Sequence, residues 1–345
     1  MVALLIGVFF LLMFLGVPIA LALGMASLFY IVLQGYPLEV MIQRMFSMTQ
    51  SFPLLAIPFF ILLGQLVTYG GFVGRIIRFS KALIGHLTGA LGLIMVVANM
   101  IFAGMSGSAV ADTAALGSVL VPAMKREGYD AGFIAALNAT AGTLGVIIPP
   151  SIPMVVFGWI TEVSVGQLFL GGAIPGLIIG GLMFVYVWWV ASRRGYPRTE
   201  GRASMSEIWA ALKESILAVI MPLLIIISIV TGVATPTEVS VVGVAYAFVV
   251  GMFVYRELNW AKFLQALKDT VISTSVVMIV VCTSGLFSWL LSYERFGNTV
   301  ADFILSLSRD PQVVLVIITL AMLVAGCFID LVPNLLLFVP ICSRW

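Results

Sequence analysis

Asp112 is the one fully charged side chain between Lys81 and Lys125, in a chain that is otherwise almost all membrane-apolar. Holding a carboxylate inside a bilayer costs at least about 2.5 kcal/mol, so such a group marks a functional position. A cation beside it offsets that cost. Ser106 and Ser108 supply hydroxyl oxygens nearby, and Gly104 and Gly107 let the main chain open and present carbonyls. Hard oxygen ligands of this kind suit Na⁺ as they suit other hard cations. A plainer role stands beside this one: Asp112-Thr113 could begin a helix running to Met124, with the aspartate as its cap. The two roles are compatible, because a helix that starts in mid-membrane is what a broken span supplies.

The surroundings extend the pattern. From Gly104 to Ser151 the chain is rich in Gly, Ser, Thr, Asn and Pro, within a protein that is otherwise strongly apolar. Irregular polar main chain at membrane depth is tolerated only where protein buries it or where it lines a cavity. Pro122 and the charged tip from Lys125 to Asp130 end one arm, and Ala131 to Val146 forms a return arm. On it Asn138, Thr140 and Thr143 fall at i, i+2 and i+5, so they do not share one tight helical stripe. Gly142 and Gly145 loosen that arm. Pro149 and Pro150 cannot donate amide hydrogens, so they stop the helix and free carbonyls upstream. A second break runs from Thr231 to Glu238. There Thr235 is suited as an N-cap, Pro236 as the first helical residue and Glu238 as the closing member of a capping box. It reads equally as a well-capped helix start or as structure beside a binding path.

These residues must be held by membrane helices. Of 345 residues 62% are hydrophobic and 9% charged, against roughly 25% charged in a soluble domain. The apolar runs are long and do not alternate, so the class is an all-α polytopic membrane protein and not an outer-membrane barrel. A net charge of +2 gives no case for nucleic acid. Cys282, Cys327 and Cys342 are scattered without metal spacing and read as packing residues, and a single histidine, His86, excludes a His-cluster metal site. The first Lys or Arg is Arg44, so the charged region of a cleavable signal is not evident.

Met1 to Leu33 is one apolar run interrupted at Gly16-Val17-Pro18, either a long kinked helix or a helix plus a half-helix. Phe52 to Tyr69 spans. Phe72 to Gly85 is amphipathic, with Arg75, Arg78 and Lys81 opposite Phe72, Ile76, Phe79 and Leu83, and suits the headgroup plane. Leu87 to Ala103 enters the membrane, and Val155 to Leu170 and Ala173 to Val190 are further apolar runs. Ser192 to Glu214 is the largest polar loop. Its Arg193, Arg194, Arg198, Arg202 and Lys213 make it cytoplasmic by the positive-inside rule. Beyond it Ile216 to Thr231, Val239 to Tyr255 and Val271 to Leu291 span, with Leu258 to Asp269 a short amphipathic connector. Phe296 to Leu307 is interfacial again, and Val313 to Ala325 re-enters the membrane.

An internal repeat underlies this order. The run from Leu66, LVTYGGFVGRIIRFSKAL, resembles LLSYERFGNTVADFILSL from Leu290. Each leads to a glycine-containing motif and an intramembrane acid, with Asp112 and Pro122 ten apart in the first half and Asp330 and Pro340 ten apart in the second. Repeats of this kind build transporters whose site lies where the halves meet. The expected division is scaffold helices 1–71, first repeat 72–191, basic loop 192–214, scaffold helices 215–270 and second repeat 271–345.

GMSGSAVADTAALGSVLVPAM, NATAGTLGVIIPPS, GVATPTEVSVVGVAYA and GCFIDLVPNLLLFVPI together resemble the large membrane subunit of tripartite ATP-independent periplasmic (TRAP) transporters, over essentially Phe9 to Pro340. The resemblance implies an elevator-type secondary transporter with inverted repeats, two re-entrant helical hairpins and interfacial arm helices. It implies Na⁺-coupled uptake of an organic acid across the bacterial inner membrane, with Na⁺ as coupling ion and no covalent cofactor. The partners would be a periplasmic substrate-binding protein and a small four-helix membrane subunit. Na⁺ is then expected at Ser106, Asp112, Asn138, Thr143 and Asp330, and the acid at Ser108, Thr113, Thr140, Pro150 and Ser151, where half-helix N-termini and hydroxyls meet. Gly326 to Pro340 resembles the start of the second hairpin. The family continues into a return arm and a further Pro-Pro break, whereas this sequence stops at VPICSRW, so an early end and a half-built second hairpin are expected.

Two other classes fail on residues. Gly104-Met105-Ser106-Gly107 matches the GxSG of rhomboid-type proteases, but a serine nucleophile needs a base, and no histidine follows Ser106. An ATP-driven pump would need GxxxxGK[ST], which is missing. A one-component anion permease or an ion channel is the competing reading, and dependence of uptake on a soluble binding protein separates it from the first.

Overall fold

The computed structural model describes residues 2–198, 201–307 and 310–342. Its helices are α1 (Val2–Phe14), α2 (Ile19–Leu33), α3 (Leu38–Thr49), α4 (Ala56–Tyr69), α5 (Phe72–Ile84), α6 (Ala90–Ser106), α7 (Ala109–Arg126), α8 (Ala131–Gly142) and α9 (Leu144–Ile147). There follow α10 (Ile152–Thr161), α11 (Val165–Arg194), α12 (Met205–Val230), α13 (Pro236–Val249), α14 (Trp260–Tyr293), α15 (Phe296–Leu307), α16 (Pro311–Gly326) and α17 (Leu331–Cys342). No strand occurs among the described residues. Among the described residues five helices are long and apolar enough to cross a membrane, or six if the bent pair Ala131–Ile147 and Ile152–Thr161 counts as one span. The chain is an all-α polytopic membrane protein.

Several boundaries differ from the sequence expectation. The first apolar run is two helices, broken where Gly16 turns at φ +82°. Residues 38–49, passed over in the sequence, form α3, which buries none of its side chains. The polar loop is shorter than 192–214, because α11 runs through Arg194 and α12 is capped at Ser204, whose side chain and Glu207 form a capping box. Cations in the last turn of α11 and an acid in the first turn of α12 suit the two helix dipoles, which extends both helices into the loop. Leu258 to Asp269 is no separate connector: from Trp260 it is the first part of α14, a helix of 34 residues. The capping box at Thr235 and Glu238, with Pro236 in the first turn, stands as the sequence reads. The end of the chain, 343–345, lies outside the described residues.

Two compact units result: residues 1–54, 156–163 and 273–345 form one, and 55–155 with 164–272 the other. In the first, Leu5 and Phe9 of α1, Leu23, Ala26 and Tyr30 of α2 and Leu286, Phe287 and Leu290 of α14 build the core. In lipid such contacts stabilise by close packing more than by exclusion of water.

The second unit is organised on α6, which packs on α4, α5, α7, α8, α9, α11 and α12. Fourteen of its seventeen residues are buried, as expected of a helix apolar on every side. Close approach is secured by a stripe on α11. Gly172, Gly176 and Gly180 face, in turn, Met154 with the Ile147 carbonyl, Ile148, and Met100. The arm helix α5 is fastened through a cation that the sequence assigns to its open face. Arg75 lies 3.7 Å over the Tyr255 ring and 2.6 Å from Glu257, and its carbonyl accepts a bond from Ser215 at 2.9 Å. At the α7–α8 tip, Tyr129 stacks on Tyr196 at 4.2 Å, Arg194 lies 3.8 Å from Asp130, and the Asp130 amide donates to the Tyr196 hydroxyl at 3.3 Å. Burial pushes the Tyr129 phenol up to about 12.

A Cβ on Gly176 would lie 2.7 Å from Ile148 Cγ1, whereas Gly181 has nothing within 4 Å. Gly176→Leu should therefore cost about 1–3 kcal/mol by overpacking. Gly181→Leu should leave stability unchanged, both read by thermal unfolding in detergent micelles.

Candidate ion-binding site

α6 ends because Gly107 adopts φ +64°, a conformation an L side chain rarely takes. Ser108 is extended and caps α7, its hydroxyl accepting from the Ala111 amide at 3.4 Å. This corrects the capping role considered for Asp112: the cap is Ser108, and Asp112 lies inside the first turn of α7. The arm ends in the charged tip, as the sequence reads: α7 stops at Arg126, with Pro122 inside the helix just before it.

Asp112 is completely buried. The Ser106 hydroxyl donates to its Oδ1, and the Ser108 amide in turn donates to Ser106 Oγ at 3.3 Å. Oδ2 is buried and accepts no hydrogen bond. No Lys or Arg among the described residues forms a salt bridge with it. The α7 N-terminus favours negative charge at this point, but a helix dipole alone does not offset burial of an ion.

The return arm is shaped around this carboxylate. A Cβ on Gly145 would strike Asp112 Oδ2 and lie 3.0 Å from the Ser108 carbonyl. Gly142 likewise fits against the Thr113 hydroxyl, with the Ala109 carbonyl 3.0 Å from where its Cβ would be. Asn138 packs on Gly117, and its amide reaches the Thr113 carbonyl at 3.4 Å. After α9 the chain turns extended at Ile148, passes Pro149 and Pro150, and resumes as α10 after a bend of 43°. This second break docks on the first. The Ile152 amide donates to the Gly107 carbonyl at 3.3 Å, and the Pro150 carbonyl lies 3.0 Å from where a Gly107 Cβ would be. Ser151 is buried and donates to the Val146 carbonyl at 2.7 Å.

The structure thus joins Ser106, Ser108 and Asp112 by hydrogen bonds, sets Thr113 against Gly142, carries Pro150 and Ser151 on the loop that docks at Gly107, and sets Asn138 against α7 further along. Thr140 and Thr143 are exposed, and their hydroxyls bond carbonyls of their own arm, Ala136 and Thr140, at 2.7 Å each. Asp330 lies in the other compact unit and is exposed, unlike Asp112. The buried polar residue of that segment is Asn334, whose amide reaches the Met322 carbonyl at 3.4 Å. Sequence reasoning passed over it, although an amide inside LVPNLLLF was a signal. It also missed Pro222 of α12, whose Cβ lies 2.6 Å from the position of a Gly104 Cβ.

The relatives of the chain bear on what such an arrangement serves. Residues 6–343 match the family model described as tripartite ATP-independent periplasmic transporter, DctM component. The sialic acid TRAP transporter large permease protein SiaM of Vibrio cholerae is 38% identical over 330 residues, 95% of this chain and 77% of that one. The 2,3-diketo-L-gulonate TRAP large permease protein YiaN of Escherichia coli is 38% identical over 329 residues, 94% of this chain and 77% of that one. The C4-dicarboxylate TRAP large permease protein DctM of Rhodobacter capsulatus is 33% identical over 350 residues, 97% of this chain and 79% of that one. The chain belongs to the DctM family of TRAP large permease subunits. It is therefore a transport subunit of the inner membrane and not an enzyme.

The fit between Gly145 and Asp112 can be measured by a double-mutant cycle. Gly145→Ala should destabilise by about 1–3 kcal/mol. In an Asp112→Ala background most of that cost should vanish, giving a coupling of at least about 1 kcal/mol for residues in direct contact. Additive losses in thermal unfolding would mean that the two do not meet.

Proposed function

We propose that the Ser106–Asp112 pocket is a Na⁺ site and that this subunit moves an organic acid by coupling to it. The observation that carries the reading is Asp112 Oδ2, a buried carboxylate oxygen without a donor, at a break in the helices. Ser106 holds the other oxygen and orients it. The facing Gly145 packs so closely that a Cβ there would strike Oδ2, and it brings no donor to that oxygen. A cation of small radius and hard character suits such oxygens. The acid would meet the α7 N-terminus with Ser108 and Thr113, beside Pro150 and Ser151, where helix dipoles and hydroxyls favour an anion. The relatives named above are described for sialic acid, 2,3-diketo-L-gulonate and C4-dicarboxylate. Their common group is a carboxylate, which supports a carboxylate as the group recognised here. Inverted repeats and an elevator motion belong to the same proposal, as do a small membrane subunit and a periplasmic binding protein that delivers the acid. Ion affinity that differs between inward- and outward-facing states would drive the cycle.

The test is uptake into proteoliposomes holding the complete transporter with its binding protein. Asp112→Asn should insert normally and lose Na⁺-stimulated uptake. Ser106→Ala should raise the Na⁺ concentration for half-maximal uptake by about tenfold, the loss of a hydrogen bond to a charged group worth about 1.5 kcal/mol. A wild-type Na⁺ response in Asp112→Asn would remove this pocket from the ion path.

A further inference from the structure

Away from the ion pocket, a charged loop joins two apolar spans. Pro236–Val254 is one span and Trp260–Tyr293 the next, so residues 255–259 between them lie at one face of the membrane. α13 finishes in a single π turn, Val250–Val254, a departure from the α-helix that recurs at functional positions. Beyond it Arg256 takes φ +56°. The left-handed residue at a helix end is usually glycine, and α6 and α11 close that way with Gly107 and Gly195. An arginine is strained there, because its Cβ crowds the main chain. The surroundings impose the strain: the Glu257 and Leu258 amides both donate to the Gly251 carbonyl, at 3.2 and 3.1 Å. A strained conformation held in this way points to a use for the side chain it presents.

That side chain is exposed, and among the described residues it makes no ion pair. The adjoining acid, Glu257, is committed to Arg75 at 2.6 Å. Lys262 brings a second cation: its ammonium donates to the Glu257 carbonyl at 2.9 Å, one residue from Arg256. Two positive charges thus stand together with no carboxylate of their own among the described residues. Beside them runs an aromatic strip. Phe253, Phe248, Phe263 and Trp260 follow one another at ring separations of 6.4, 5.0 and 5.2 Å. Its two ends, Phe253 and Trp260, are 63% and 62% exposed. A tryptophan at the end of a span is an interfacial anchor. Paired cations at the membrane surface beside an exposed aromatic flank have the chemistry that an anionic phospholipid fits: phosphate on the cations and acyl chains on the rings.

We infer that Arg256 and Lys262 bind the phosphate of one anionic membrane phospholipid. This site is separate from the ion pocket, and neither depends on the other. The whole chain, purified in detergent, is mixed with micelles carrying either phosphatidylglycerol or diacylglycerol, which lacks the phosphate, and retained lipid is counted by native mass spectrometry. Phosphatidylglycerol should be retained and diacylglycerol lost. Arg256→Gly should lower retention about fivefold, since each basic residue near an anionic lipid contributes about 1 kcal/mol. The same variant should raise the unfolding temperature in detergent, because glycine accepts this φ without strain. Lys262→Gln should lower retention by a similar factor, and Arg193→Gln, at the end of α11, should leave it unchanged. Lost retention together with a lowered unfolding temperature in Arg256→Gly would give the arginine a structural role and overturn the assignment. Wild-type retention in Arg256→Gly combined with Lys262→Gln would overturn it by showing unspecific annular lipid. Complete displacement of the lipid by millimolar inorganic phosphate would overturn it too, since the aromatic flank would then hold nothing.

Discussion

Polar main-chain groups at membrane depth have to be satisfied inside the protein, and in this chain two helix breaks satisfy each other. The Gly107 carbonyl, freed where α6 stops, takes the Ile152 amide, freed where α10 starts. That contact fixes both loops. It also explains why bulk is missing around them. Gly104 lies under Pro222 and Gly142 and Gly145 under Thr113 and Asp112, while the α11 stripe lies under the Pro-Pro turn and α6. Side chains at these positions would hold the breaks apart and leave amides without partners.

With the breaks locked, the carboxylate between them has little freedom to relax. Ser106 fixes one oxygen, and the return arm closes on the other without donating to it. In the proposed Na⁺ role, a group kept rigid and incompletely satisfied would act as a pre-organised ligand, because the cost of burial and alignment is met on folding. The energy behind that rigidity comes from packing of small residues, since lipid-exposed helices gain little from hiding apolar surface.

Much of this could be read from residues. The Gly104–Ser151 stretch, its two breaks, the arm helix and the Thr235 capping box rest on local rules, namely chain-breaking by Gly and Pro, charge spacing and cap chemistry. What escaped needed the third dimension. Asp112 looked able to cap a helix because its spacing allows it, but Ser108 is nearer the Gly107 turn and takes the role. Thr140 and Thr143 belong to the right arm but to its outer side, a distinction that a spacing of i, i+2 and i+5 leaves open. Asp330 mirrors Asp112 in sequence and not in burial; Asn334 is the inward polar residue there. Pro222 is distant in the chain from Gly104, and only packing joins them.

The stack of Tyr129 on Tyr196, with Arg194 beside Asp130, has a mechanical consequence. A hairpin tip is ordinarily where a strut yields. Here the bend is clasped ring to ring to the end of α11, a helix of 30 residues that also abuts the Pro-Pro turn through Gly176. The hairpin is thereby braced at both ends by one beam. A shift of α11 would therefore have to carry the tip and the Pro-Pro turn together.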